Sequence, residues 1–230
     1  MCGRYTLRTD KTNLAAALEI PEDAFPEDLA PRYNIAPTEL VPILIQDTEV
    51  RVTLHRWGLV PSWAKDRNMG SRLINARRET ITQKPSFRDA FRERRCLVVA
   101  DGFYEWLEVE KRKPKIPHYI HLKGGGPFTF AGLWSKWRDP DGPELYTCTI
   151  ITTEPNDLVR RVHDRMPVII PPERRSTWLD PANGDETELQ ALLEPYDQDH
   201  MEMYPVTTYV NSPGNEGDLC IEPASDWQLF

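Results

Sequence analysis

The run Cys96-Leu97-Val98-Val99-Ala100-Asp101-Gly102-Phe103-Tyr104-Glu105-Trp106 decides the fold. Its first half is a short, continuous apolar segment rich in valine, too short for a helix that must carry its own core face. Asp101-Gly102 is a turn-like break, and a second, aromatic segment runs from Phe103 to Val109. Two strands joined at that break are the simplest reading. The same pattern continues downstream: Ile116 to Leu122, Phe128 to Trp134 and Leu145 to Thr152 read as strands. Gly124-Gly125-Gly126 and Pro140-Asp141-Gly142-Pro143 separate them. Upstream, Val41 to Ile45 and Val50 to Trp57 alternate as strands do, and Met203 to Val210 reads as a late strand.

Helical signals lie around these strands. Lys11 to Ile20 places Leu14, Leu18 and Ile20 on one side, with Thr12 or Asn13 as the cap. Ser86 to Arg94, Pro155 to Val162, Pro172 to Leu179 and Glu186 to Leu193 are further candidates, while Arg72 to Thr82 is a loop or the entry to a helix. Many strands with a few scattered helices predict an α+β fold, with a predominantly antiparallel sheet or barrel-like core and peripheral helices. The length predicts a single domain over residues 1–230.

Composition narrows the function. No apolar h-region opens the chain and no apolar run could span a bilayer. The expectation is a cytoplasmic protein, nucleoid-associated in a prokaryote, with no membrane contact. The cysteines Cys2, Cys96, Cys148 and Cys220 show no metal-ligand spacing, so neither a metal nor a cofactor is expected. The net charge of −8 speaks against nucleic acid, but its distribution does not. From Arg51 to Ala100 twelve Lys or Arg face four acids, whereas from Glu173 onward two Arg face thirteen acids. That asymmetry fits either a local anion-binding face or a solvated basic helix surface.

Met1-Cys2-Gly3 carries the chemistry. Methionine is normally trimmed before a small residue, which leaves Cys2 with an α-amine and a thiol on adjacent carbons. Both groups have ordinary pKa values of about 8 to 8.5, so both have nucleophilic forms near neutrality. An amine condenses with an aldehyde to an imine. A thiol two bonds away then closes a five-membered thiazolidine with a large effective-concentration advantage. By position alone, however, such a cysteine is more often part of a frayed terminus.

Six ordered motifs shift that balance. They are Cys2-Gly3-Arg4-Tyr5, Arg32-Tyr33-Asn34-Ile35-Ala36-Pro37, Trp57-Gly58-Leu59-Val60-Pro61-Ser62-Trp63, Ile74-Asn75-Ala76-Arg77-Arg78-Glu79-Thr80, Gly102-Phe103-Tyr104-Glu105-Trp106 and Val162-His163-Asp164-Arg165-Met166-Pro167. Each sets polar residues in apolar surroundings, where an unpartnered polar group is costly. In this order they resemble the SOS response-associated peptidase (SRAP) family of abasic-site processing proteins, from Cys2 to about Pro223.

The resemblance implies an enzyme that binds single-stranded DNA and captures the ring-opened abasic aldehyde as a thiazolidine crosslink to Cys2. It implies that Asn75 orients the amine or the sugar, that Glu105 shuttles protons, and that His163 assists sugar-ring opening. Arg4, Arg77, Arg165 and, less strongly, Arg78 would hold phosphates through their guanidinium forks. Asn34 would meet phosphate or sugar, and Trp63 would stack on a base or wedge at a single-strand/duplex junction. The implied partner is abasic single-stranded DNA or such a junction, engaged by a monomer. Two rivals remain. An N-terminal nucleophile hydrolase or autopeptidase would also use Cys2, although the only Asn-Gly for an oxyanion site is Asn183-Gly184, in an acidic segment. A non-covalent single-strand binder would bind reversibly and with strong salt dependence.

Overall fold

A computed structural model describes residues 2–109, 115–138 and 142–225. In chain order its strands are β1 (Tyr5–Leu7), β2 (Arg32–Ile35), β3 (Leu40–Gln46), β4 (Val50–Trp57), β5 (Asn75–Arg77), β6 (Arg95–Ala100), β7 (Gly102–Leu107), β8 (Ile116–Leu122), β9 (Phe128–Arg138), β10 (Glu144–Thr153), β11 (Met166–Pro167), β12 (Ile169–Ile170) and β13 (Met201–Pro205). The helices are α1 (Lys11–Leu18), α2 (Arg88–Glu93), α3 (Arg175–Leu179) and α4 (Glu186–Ala191). The fold is α+β with mostly antiparallel sheets and few helices, as the sequence predicts. One sheet runs β13-β8-β7-β1-β2. The other runs β11-β10-β4-β3-β6-β9-β12, and an additional β9–β10 pairing closes β10, β4, β3, β6 and β9 into a ring.

The run that decided the fold does so by joining the two sheets. β6 belongs to the closed ring and β7 to the five-stranded sheet. Asp101, between them, is 1 % exposed and acts as a staple. Its carboxylate accepts hydrogen bonds from Thr6 Oγ1 (2.5 Å), Arg8 N (2.6 Å), Thr9 N (2.7 Å) and Thr9 Oγ1 (2.8 Å). Gly102 allows the crossing to be this close, because a Cβ there would lie 2.1 Å from Tyr119 Oη. The ring of Tyr5 packs edge-on against Trp57 (5.3 Å) and Phe130 (5.9 Å), so β1 seals the core that both sheets share.

Several local expectations shift. Asp10, not Thr12 or Asn13, caps α1 by accepting from Asn13 N. Asp is the stronger cap because its carboxylate is already ionised where the helix N–H groups point. Arg72 to Thr82 splits into 3₁₀ turns around β5, since β10 offers a parallel partner that no local signal reveals. Pro155 to Val162 shortens to a 3₁₀ turn, with Asn156 Oδ1 accepting from Val159 N at 3.0 Å. The late strand spans Met201–Pro205 and gives way to a 3₁₀ turn at Thr208–Asn211, because Pro205 lacks the N–H a continuing ladder needs. Within the Pro140-Asp141-Gly142-Pro143 break, residues 139–141 lie outside the described residues.

Arg95 shows how the helices are fixed. It is 4 % exposed, and its guanidinium donates to the carbonyls of Phe91, Arg92, Trp178, Asp180 and Asn183. Helices leave their last carbonyls without intrahelical partners. Here one buried cation serves the ends of both α2 and α3. Removing it strands those carbonyls at about 1–3 kcal/mol for a buried group. Arg95→Met is therefore expected to lower unfolding stability by about 3 kcal/mol in a urea titration. A loss below about 0.5 kcal/mol would show that the carbonyls find other donors.

Candidate active site

β1 brings Cys2 into the site. Tyr5 pairs with Phe103 and Thr6 with Gly102, and Tyr104 N donates to Arg4 O at 3.0 Å. Extended toward the N-terminus, this antiparallel ladder sets Gly3 opposite Glu105. Cys2 is fully buried, so the start of the chain is held in the core. Its carbonyl accepts a 2.8 Å hydrogen bond from Asn75 Nδ2. Burial, reinforced by the Glu105 charge, pushes the Cys2 thiol well above the usual thiol range.

β10 assembles the rest. Along one edge it pairs with β9 up to Ile150 and then with β11 at Thr152 and Thr153. Along the other it pairs with β4 at Thr147 and Cys148 and then with β5 from Ile150 to Thr152. Its C-terminal end therefore lies between β5, which carries Asn75 and Arg77, and the His163-Asp164-Arg165 segment leading into β11. Asn75 Oδ1 is buried and has no hydrogen-bond partner among the described residues. An unmatched acceptor beside Cys2 suits an incoming N–H or O–H.

Glu105 is 2 % exposed on β7. Burial raises its pKa from 4.5 to about 7, and the positive amino terminus partly opposes that rise. A carboxyl poised near neutrality can both give and take a proton. His163 Nε2 lies 3.7 Å from Glu105 Oε2. The Arg165 N–H donates to His163 Nδ1 at 2.9 Å, which places the proton of the neutral ring on Nε2, facing Glu105. Burial lowers the His163 pKa and favours that neutral form. Asp164 Oδ1 at 3.0 Å and Arg165 O at 3.2 Å also flank Nδ1 and are in place to receive its proton when the ring is charged. Asn75, Glu105 and His163 thus converge on Cys2 from three separate parts of the chain.

The chain matches the family described as SOS response associated peptidase (SRAP) over residues 1–213. The chain belongs to the SRAP family. It is 47 % identical over 223 residues to the abasic site processing protein YoqW of Bacillus subtilis (strain 168), covering 96 % of this chain and 99 % of that one. It is 30 % identical to the abasic site processing protein HMCES of Rattus norvegicus, covering 97 % of this chain and 76 % of that one. A solved structure from Bacteroides thetaiotaomicron superposes with a TM-score of 0.86 at 29 % identity, over 97 % of this chain and all of the other.

The other candidate residues of this SRAP chain separate by exposure. Arg77 lies two residues along β5 from Asn75, hence on the same side of the strand, and is exposed without an ion pair or hydrogen bond among the described residues. Arg165 forms a fork with Glu79 (2.7 and 3.1 Å) and donates to Thr152 O at 2.6 Å. Arg78 pairs with Glu194 at 2.6 Å and donates to Leu193 O at 3.0 Å. Arg4 donates to Asn34 Oδ1 and to the carbonyls of Val210 and Asn211. Asn34 is fully buried, and its Nδ2 serves Val210 O, Ser212 O and Asn215 O. In this conformation Arg4 and Asn34 fasten the segment around residues 210–215 to the start of β1 and to β2.

Trp63 is 54 % exposed beside a groove of about 480 Å³ that Lys65, Met69 and Arg72 also line. Trp57 is buried and donates from Nε1 to Ile74 O at 2.9 Å. Asn183, the residue the N-terminal nucleophile hydrolase reading needs, accepts from Arg95 and donates to Glu188, and so serves the helix layer. Three participants escaped sequence reasoning. Asp101 read only as a turn residue, Glu79 stood in a quoted motif without a role, and His118 faces Glu105 across the β7–β8 ladder. Among the described residues no group of three or more His, Cys, Asp or Glu is placed to hold a metal ion.

Glu105 sets a stability signature. The folded chain keeps its proton up to about pH 7, whereas an ordinary glutamate loses it near 4.5. The folded state holds the extra proton between those values, so stability falls as pH rises through that window. The shift corresponds to a contribution on the order of 3 kcal/mol. Glu105→Gln is expected to gain several degrees in Tm on the wild type between pH 5 and pH 8. Parallel melting curves for the two proteins would refute the raised pKa.

Proposed function

We propose that this protein processes abasic sites in single-stranded DNA, or at single-strand/duplex junctions, by forming a covalent thiazolidine between Cys2 and the abasic aldehyde once Met1 has been removed. The reading rests on one observation above all: Cys2 is held in the core, its carbonyl fixed by Asn75 Nδ2 at 2.8 Å, where the buried Glu105 carboxyl lies 3.7 Å from His163 Nε2. The names of the curated relatives supply the substrate class. The unit is a single domain over residues 1–230 acting as a monomer in the cytoplasm, since one lesion needs one aminothiol.

An abasic sugar is mainly a cyclic hemiacetal. Opening it requires the C1′ hydroxyl to lose a proton and O4′ to gain one. Glu105 takes the first and passes it to O4′, while the neutral His163 donates a hydrogen bond from Nε2–H to O4′ as the ring opens. The Cys2 amine then adds to the aldehyde carbon to form a carbinolamine. Glu105 moves the two amine protons in turn to the oxygen of the carbinolamine, which leaves as water. The thiol adds to the resulting C=N bond, forming the S–C bond, and its proton ends on the ring nitrogen. The balance is aldehyde plus aminothiol giving thiazolidine plus one water. Asn75 holds the Cys2 carbonyl and thereby the direction of the amine. Trp63 stacks an exposed base, and Arg77 meets the nearest phosphate.

Arg165 and Arg78 enter this scheme through exchange. Glu79 occupies the Arg165 fork that a phosphate would use. Binding must separate that pair, which suppresses adhesion to polyanions that do not fit.

Denaturing gels with a single-stranded abasic oligonucleotide test the proposal. Wild type is expected to give a heat-stable adduct, and Cys2→Ala none; an adduct with the variant would overturn the thiazolidine. Glu105→Gln should slow formation and reversal alike, because one proton shuttle serves both directions. Non-covalent binding gives an independent check with unmodified single strands. Arg77→Ala should flatten the dependence of log K on log salt by about 0.7, the increment for one single-strand phosphate contact. Glu79→Gln should tighten binding, and unchanged or weaker binding would remove Glu79 from the role of competitor.

A further inference from the structure

Away from the candidate site, the ring of strands buries a histidine with one nitrogen unpartnered among the described residues. His55 on β4 is 2 % exposed, and its Nδ1 lies 3.2 Å from Thr53 Oγ1. Its Nε2 is buried without a hydrogen-bond partner among the described residues. Burial lowers its pKa to about 4, so the ring is neutral at physiological pH. A buried polar atom left unpaired costs about 1–3 kcal/mol, and native proteins rarely retain one without use.

The surroundings have the form of a site. A cavity of about 210 Å³ is lined by Ile45, Arg51, Thr53, His55, Trp134 and Tyr146, with Leu54. Trp134 and Tyr146 both meet the imidazole edge-on, at 5.6 and 5.5 Å between centroids. Tyr146 is the outer wall, 39 % exposed, and its hydroxyl donates a 3.3 Å hydrogen bond to Glu144. His55 itself lines the cavity next to Tyr146. The walls are mainly apolar, so water filling this space would find few partners beyond the imidazole. A flat, apolar ligand with one polar edge matches it better.

Charge at the rim restricts the ligand further. Lys136 stands 5.6 Å over the Tyr146 ring and pairs with Glu144. Arg51 pairs with Asp47 at 2.8 Å. The cations already beside the aromatic walls disfavour a cationic guest, and their carboxylate partners remove the attraction for an anion.

We infer that this end of the strand ring binds a small, neutral, planar heteroaromatic molecule, clasped by Trp134 and Tyr146 and donating an N–H to His55 Nε2. The bond is a simple donor–acceptor contact with no proton transferred. Nothing in it depends on Cys2 or on the abasic-site chemistry.

Indole and benzofuran test the inference on the full chain by calorimetric titration. They share size and shape, but only indole carries an N–H. Saturable indole binding is expected, with benzofuran weaker by at least about fivefold, the range of one net hydrogen bond. His55→Phe should bring the two affinities together, and Tyr146→Ala, at a partly exposed position, should weaken both. Indole that fails to saturate the wild type would overturn the site. So would equal affinity for the two ligands, or a preference for indole that persists in His55→Phe.

Discussion

The antiparallel pairing of β1 with β7 is the constraint on which the site depends. Three residues of β1 span a short distance, and a chain end of that length would fray if left to itself. It does not fray because β2 and β7 flank it, Tyr5 is driven into the core between Trp57 and Phe130, and Asp101 gathers Thr6, Arg8 and Thr9. Once Tyr5 is fixed opposite Phe103, the register leaves no choice about Gly3 and Glu105. A slip of one residue would turn Glu105 to the opposite face relative to β1. The geometry of the candidate site is therefore inherited from packing several residues away from it.

The parts of this arrangement that were legible from sequence share a physical basis. Ile116–Leu122 and Val50–Trp57 match their expected bounds because apolar periodicity and turn residues are local quantities. β5 was not legible, since Asn75 to Arg77 becomes a strand only through a parallel partner more than seventy residues away. At the site, residue types were readable from motifs, but their occupancy was not. Arg4, Arg78 and Arg165 look alike in sequence as cationic forks. Packing alone determines that they are satisfied by Asn34, Glu194 and Glu79, whereas Arg77 stays open.

That distinction resolves the tension between a net charge of −8 and the proposed anionic partner. Part of the basic surplus between residues 51 and 100 is committed internally. Arg95 is committed to five carbonyls, Arg78 and Arg51 to carboxylates. What would remain for a strand of DNA are exposed cations without an ion pair among the described residues, such as Lys65, Arg72 and Arg77, together with pairs that a phosphate must pry apart. With a net charge of −8, long-range attraction for the proposed partner is modest, and the proposal shifts recognition toward contacts made only when the strand is seated.

Burial of Cys2 gives the proposed order of bond formation a physical reason. A thiol pushed far above its usual range holds almost no thiolate at neutral pH, which makes it a slow first nucleophile and a poor target for oxidants. In the proposed scheme the amine therefore attacks first. Imine formation then puts an electrophilic carbon within reach of the sulfur, and intramolecularity compensates for the scarcity of thiolate. The carboxyl of Glu105 takes part in both stages: its charge helps to keep the thiol protonated, and its proton activates the carbinolamine. One buried acid thus restrains the nucleophile in the resting protein and promotes the step that calls it into use.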